Sequence, residues 1–385
     1  MTVQLMREFK IDAAGLAVLG SCFYYAYVGM QIPAGLLLDR YGARKLLSFA
    51  VFVSALGVIL FARTHNFYLA GFARMLVGFG SAFSFVSALY LIANWFSHRY
   101  FALMSGLVQF GACVGSIIGL APLAILVNNY GWRETLDVVG IVTFFVAFLY
   151  WFVIRDGHKP HAHHSERPGQ FITLKKVIRT PQVWWISLAG FCCWAPVAAF
   201  GALWGVSYLM KVYHFSNEIA GWWVAPLWLG VGLGSPFIGW LSDQMGSRKI
   251  PFYLCFGAGI LGGVMVTFAP YLSIGWTALG LFLIGLAGAL QSLTFGVAKD
   301  VIPPQRFATA SGFINMVAVL GGAFIQVIFG FVLHAVGRVD YINGVAQYDV
   351  FGYQVSMLLL PAVSMIGFLV TRFFLVETSC RQAHA

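Results

Sequence analysis

The chain has 385 residues, of which 60% are hydrophobic and 17% aromatic but only 9% charged, with a mean hydropathy of +0.83. Soluble domains carry roughly 25% charged residues, so a surface this poor in polar groups must face lipid. A soluble enzyme, a nucleic-acid binder and a secreted disulfide scaffold are excluded on that ground, and the net charge of +10 is read as loop topology, not as an anionic partner.

Stretches free of Asp, Glu, Lys and Arg run 14–38, 46–62, 75–98, 100–132, 138–154, 180–210, 219–242, 250–298, 307–337 and 350–371. Each is close to the roughly 20 residues a helix needs to cross the hydrocarbon. The stretch 250–298 is long enough for two spans and breaks near Pro270, so eleven spans are predicted. A transmembrane β-barrel is excluded, because its strands alternate polar and apolar residues over about 10 positions. Five of the six Cys (Cys22, Cys113, Cys192, Cys193, Cys255) lie in apolar stretches and read as packing residues.

The longest polar interruption, 155–180, carries six Lys and Arg and separates an N-terminal bundle of five spans (1–154) from a C-terminal bundle of six (181–376), followed by a tail (377–385). With this linker in the cytoplasm, 16 of the 23 Lys and Arg fall inside, while the acidic residues divide evenly, as the positive-inside rule requires. Four linker histidines (His158, His161, His163, His164) have no acid or Cys partner at ligand spacing, so the segment is expected to be a mobile linker that holds no metal. No phosphate-binding loop or nucleotide fingerprint is present.

The two bundles repeat each other. GLLLDRYGARK at 35–45 returns as GWLSDQMGSRK at 239–249, and RYFALMSG at 99–106 pairs with RFATASG at 306–312. Repeats related along the membrane normal build one class of transporter. These residues resemble the major facilitator superfamily, whose signature G-x-x-x-D-R-x-G-x-R-K lies between its second and third helices and returns, weaker, between the eighth and ninth. The resemblance covers the whole chain. It implies an all-α integral membrane protein: two pseudo-symmetric helical bundles around a central site, exposed alternately to each side. Gly35, Asp39, Arg40, Gly42, Arg44, Asp243, Gly246 and Arg248 would form a cytoplasmic gate. In it Asp39 and Asp243 pair with Arg or Lys, or cap the start of a neighbouring helix.

The family has twelve helices, six per half. Only one span precedes Asp39, whereas two, 182–210 and 219–241, precede Asp243, and the lead-in to the signature is shorter in the first half by 24 residues, about one span. The sequence therefore predicts that the family's first helix is missing from this chain, through a late start codon or a truncation.

Arg74 is the one clearly intramembrane charge. It opens RMLVGFGSA at 74–82, which resembles the R-x-x-x-G-x-G-x-A motif of the family's fourth helix, associated with proton-coupled members; the usual Gln before the first Gly is Val77 here. An ionised Arg in lipid costs about 2.5 kcal/mol or more, so it is expected to face a central cavity and meet a carboxylate-bearing substrate or take part in proton coupling. The alternative is a structural or snorkelling role. Tyr24, Tyr27 and Gln31 fall on one helical face and either line the cavity or pack. Gln109, Gln291, Asn315 and Gln326 are polar side chains at membrane depth that line a pathway or bond neighbouring helices. Of the Trp residues crowding 194–228, Trp194 beside Pro196 is the one placed in the cavity. Gly111, Gly115 and Gly119 form a small-residue seam. The Gly-Pro pair that the family's drug antiporters carry in this helix is replaced by Gly119-Leu-Ala-Pro122.

The expected function is secondary active transport of a small solute with a carboxylate (organic acid, amino acid or short peptide), coupled to protons. The expected partners are the solute, protons and the lipid bilayer, with no cofactor, no enzymatic activity and no nucleic acid. The protein is expected to be a monomer in a bacterial inner membrane. The alternatives are drug or metabolite export, or a transporter-like sensor or inactive remnant.

Overall fold

The computed structural model describes residues 5, 8–9, 13–97, 100–156, 170–342 and 345–380. The linker histidines, Arg7, Lys10, Arg99 and Arg381 lie outside the described residues.

In hydrocarbon every backbone polar group must be satisfied within its own segment, and the helix does this residue by residue. The chain accordingly runs through α1 (Ala13–Tyr41), α2 (Ala43–Arg63), α3 (Phe67–Trp95), α4 (Phe101–Tyr130) and α5 (Trp132–Val153). A short helix follows, α6 (Gln170–Ile178). Then come α7 (Pro181–Ala199) with its continuation α8 (Gly205–Tyr213), α9 (Asn217–Trp223), α10 (Ala225–Met245), α11 (Lys249–Thr267), α12 (Ile274–Gly288) and α13 (Leu290–Val301). The last helices are α14 (Phe307–Val336), α15 (Val350–Met357) and α16 (Leu359–Phe373). Among the described residues, nine helical stretches are long and apolar enough to cross a membrane. The predicted break near Pro270 is a 3₁₀ turn at Ala269–Tyr271 between α11 and α12. One departure from an all-α reading is an antiparallel hairpin of β1 (Val339–Ile342) and β2 (Val345–Tyr348). Absence of charge marks spans but is blind to connections, so this hairpin was not foreseen.

Helix starts follow local chemistry. The Asn66 side-chain oxygen accepts from the amides of Tyr68 (2.9 Å) and Leu69 (3.1 Å) to open α3, and Asp349 accepts from the Gly352 amide (2.9 Å) to open α15. A single residue links α1 to α2 and α4 to α5. These are Gly42 (φ 79°) and Gly131 (φ 90°), in the left-handed region that a side chain disfavours.

The chain divides into two compact units. One comprises Met1–Phe96, Gly115–Arg179 and Pro303–Phe313; the other comprises Ser97–Val114, Thr180–Ile302 and Ile314–Ala385. In the first, α3 packs on α1 and α2, and α2 packs on α5, over an apolar cluster that includes Leu19, Phe61, Ala73 and Trp132. At one lip of this unit Arg133 donates to the carbonyl oxygens of Ala62 and Thr64 and to Glu8. In the second unit α12 packs on α10 and α11, and α16 packs on α11 and α7. There α10 and α12 cross at Gly230 and Gly285, where neither position has room for a β-carbon. By contrast, no described atom would lie within 4 Å of a β-carbon added at Gly111 or Gly115, so the close packing expected of that seam is not seen at these two positions.

Candidate functional site

In the first unit the predicted residues Arg74, Tyr24 and Tyr27 gather around Phe23, which sequence reasoning had not singled out. The Arg74 guanidinium lies 5.5 Å from the Phe23 ring centre and 6.0 Å from that of Phe61. Tyr27 stacks on Phe23 (5.7 Å, 17°) and Tyr24 meets it edge-on (5.2 Å, 87°). Cation–π contacts of this kind stabilise a charge by about 0.5–2 kcal/mol, but they leave all five guanidinium N–H donors unused. Among the described residues Arg74 makes no hydrogen bond or ion pair. Gln31 shares the helix but not the surroundings: it is fully buried, whereas Tyr24 is 52% exposed. At Gln31, α1 runs against the first turns of α14, whose Gly312 faces the Gln31 carbonyl.

In the second unit the other candidates flank α7. Gln291 on α13 is buried, and its side-chain oxygen accepts from the Cys193 thiol (3.5 Å). Trp194, one residue on, lies beside Gly322 of α14. Gln326 of α14 donates to the Ala198 carbonyl (2.9 Å), and its own carbonyl accepts from the Trp204 indole (3.1 Å). These two bonds bracket a π-helical turn at Phe200–Trp204 that joins α7 to α8, the kind of irregularity that often marks functional positions in helices. Asn315 is buried on α14, and Gln109 is buried on α4 beside Cys113.

The repeated signature turns have diverged in their contacts. In the first copy Asp39 meets no arginine among the described residues; it caps the start of α14, accepting from the Ala308 amide (3.2 Å), the Thr309 amide (2.9 Å) and the Thr309 hydroxyl (2.6 Å). Gly35 makes this approach possible, since a β-carbon there would lie 2.5 Å from the Ala308 carbonyl oxygen. Arg44 donates to the Trp151 carbonyl (2.9 Å) and lies over that indole, and Arg40 lies over Tyr41. In the second copy Asp243 does pair with Arg248 (2.9 Å), and the fully buried Arg248 also binds Asp300 (2.9 Å) and Ser242 (3.0 Å). Gly246, with φ 59°, ends α10. Burying two acids around one guanidinium offsets its desolvation, which is several kcal/mol per unpaired ion.

Two further carboxylates, absent from the sequence-based set, do the same job in both copies. Gly42 has no side chain to cap α2, and Asp156 supplies the acceptor for the amides of Ala43 (2.6 Å) and Arg44 (3.1 Å). At the corresponding start of α11, Glu377 accepts from the amides of Arg248 (2.8 Å) and Lys249 (3.0 Å) and from the Ser247 hydroxyl (2.6 Å). Asp156 follows the end of α5 by three residues and Glu377 follows the end of α16 by four, so carrying the repeat alignment past the last span of each half would have found both.

Long apolar helices, a repeated charged turn and a partly buried cation define a multi-pass membrane protein of a transporter class. The Major Facilitator Superfamily profile matches residues 1–326, and the chain belongs to that family of membrane transporters. It is 22% identical to the probable galactarate/D-glucarate transporter GudP of Escherichia coli K12, over 90% of this chain and 84% of that one. It is 24% identical to the probable sulfoacetate transporter SauU of Cupriavidus necator, over 87% of this chain and 82% of that one. Among solved structures, the fucose:proton symporter FucP of Escherichia coli superposes with a TM-score of 0.74 at 16% identity, covering 96% of this chain and 93% of that one. That likeness is one of fold.

Proposed function

We infer that this transporter moves a small organic anion bearing a carboxylate, inward and together with protons. The observation that carries the reading is Arg74: a guanidinium within a membrane helix, faced by Phe23 and Phe61, with no hydrogen bond or ion pair among the described residues. A cation at membrane depth is costly, and the residues that bear it are usually functional; a planar fork of donors suits a carboxylate in two-point contact. The substrates named for GudP and SauU are small organic anions, which agrees in charge.

In this reading Tyr24, Tyr27, Gln31, Gln109, Trp194, Gln291, Asn315 and Gln326 supply neutral donors, acceptors and walls to the pathway. Eleven membrane helices form an N-terminal bundle (1–154) and a C-terminal bundle (181–376). The linker 155–180 and the tail 377–385 lie in the cytoplasm of a bacterial cell, and the protein works as a monomer in the inner membrane. Alternating access requires the Asp39 cap on α14 to open and re-form in each cycle.

The test is uptake into proteoliposomes across a panel of sugar diacids, sulfonated acids, monocarboxylates and neutral sugars, with and without an inward proton gradient. Gradient-stimulated uptake of an acid is expected, abolished in Arg74→Leu and partly kept in Arg74→Lys. Uptake confined to neutral sugars, or undiminished in Arg74→Leu, would overturn the anion reading.

A further inference from the structure

The short helix α6 has two unlike faces. Thr173 and Val177, one turn apart, are buried, and α6 packs on α1. Ile172, Lys175, Lys176 and Arg179, at i, i+3, i+4 and i+7, form the opposite stripe and are all exposed. Only Arg179 and Thr180 separate α6 from α7, which carries an exposed Trp184 in its first turn, a residue type enriched at the membrane–water interface. Covalent continuity therefore holds three cations within a helical turn or two of the point where the chain enters the lipid. Three cations with an exposed isoleucine at that depth complement a surface of anionic headgroups with acyl chains below it.

The geometry points to α6 as an interfacial helix that docks its Lys175–Lys176–Arg179 face onto the anionic phospholipid headgroups of the membrane in which the transporter sits. Topology alone would place these cations on the linker side in any arrangement; their collection on one face, with the other face spent on α1, is what a surface contact requires.

The test is hydrogen exchange of the 170–178 amides in the full-length transporter, reconstituted in phosphatidylcholine alone and in phosphatidylcholine mixed with phosphatidylglycerol. Exchange is expected to slow in the mixed vesicles. Each cation near an anionic surface contributes severalfold, so three together allow up to about a hundredfold at low salt. High salt should reverse the effect, and so should the exposed-face variant Lys175→Gln/Lys176→Gln/Arg179→Gln. The salt arm needs no variant and stands if the triple variant does not fold. Equal exchange in the two kinds of vesicle, as a contact within the protein or with a protein partner would give, overturns the proposal, as does protection that survives both salt and the triple substitution.

Discussion

Thr309 donates twice to a single carboxylate oxygen of Asp39, through its backbone amide at 2.9 Å and its hydroxyl at 2.6 Å. The acid belongs to the signature turn after the first described span, and the threonine to the first turn of α14, 270 residues later in the chain. A carboxylate at a helix N-terminus is stabilised by the unpaired amides and by the helix dipole together, so this cap joins distant segments by a bond whose strength depends on charge.

Asp39→Asn removes the charge while keeping the shape. A charge-assisted hydrogen bond contributes about 1.5–3 kcal/mol, so the capped state should lose roughly tenfold to a hundredfold in population relative to its open alternative. Uptake in proteoliposomes is expected to fall with membrane expression unchanged. Thr309→Val should do the same more weakly, and a double-mutant cycle should give a coupling of about 1 kcal/mol or more. Uptake at the parent rate in Asp39→Asn would sink the gate role.

Gly35→Ala tests the closeness of the same crossing. The added carbon would stand 2.5 Å from the Ala308 carbonyl oxygen and 2.8 Å from the Thr309 α-carbon, and backbone atoms cannot swing aside as a side chain can. The helices must part, at a cost of about 1–3 kcal/mol, and thermal unfolding in detergent should shift down. An unchanged melting temperature would mean that α1 and α14 do not meet this closely.

Arg248, enclosed by Asp243 and Asp300, carries a larger penalty when broken. Asp300→Asn leaves a buried guanidinium short of one charge partner, and removing one member of a buried pair costs about 3–5 kcal/mol. The double variant Arg248→Met/Asp300→Asn should recover part of that stability, because it also removes the uncompensated cation. If the double variant is as unstable as the sum of the two single ones, the pair is not coupled.

Glu377 predicts a pH dependence. Burial alone would raise its pKa, but hydrogen bonds from Ser247, Arg248, Lys249 and Ser379 outweigh that and hold it below the ordinary carboxylate value. A depressed folded-state pKa contributes stability that is present above the unfolded pKa of about 4.3 and is lost as pH falls through the folded value. Wild-type protein should therefore lose stability more steeply than Glu377→Gln as the pH is lowered below about 4.3; parallel melting curves for the two over that range would remove Glu377 from the account.

The membrane character, most span positions, the repeat and the family were legible in the chain, because hydrocarbon imposes a single rule on every residue of a span and the signature turn needs a fixed order of Gly, Asp and Arg. Arg74 was legible for the same reason: a charge stands out where there are none. The partners of these residues were decided by tertiary structure. Asp39 and Asp243 occupy equivalent places in the repeat, yet one caps α14 and the other pairs with Arg248, since Thr309 offers two donors beside Asp39 while Asp300 and Asp243 both close on Arg248. Phe23, the ring around which Arg74 and two tyrosines gather, reads in sequence as one phenylalanine among 36. Asp156 and Glu377 read as ordinary loop acids; only folding brings them to helix starts whose Gly42 and Arg248 cap residues form no side-chain cap of their own. A pattern along the chain records what each residue's solvent must be, while a carboxylate's choice among distant donors depends on which helices lie within 3 Å of it, and that is settled only when the helices pack.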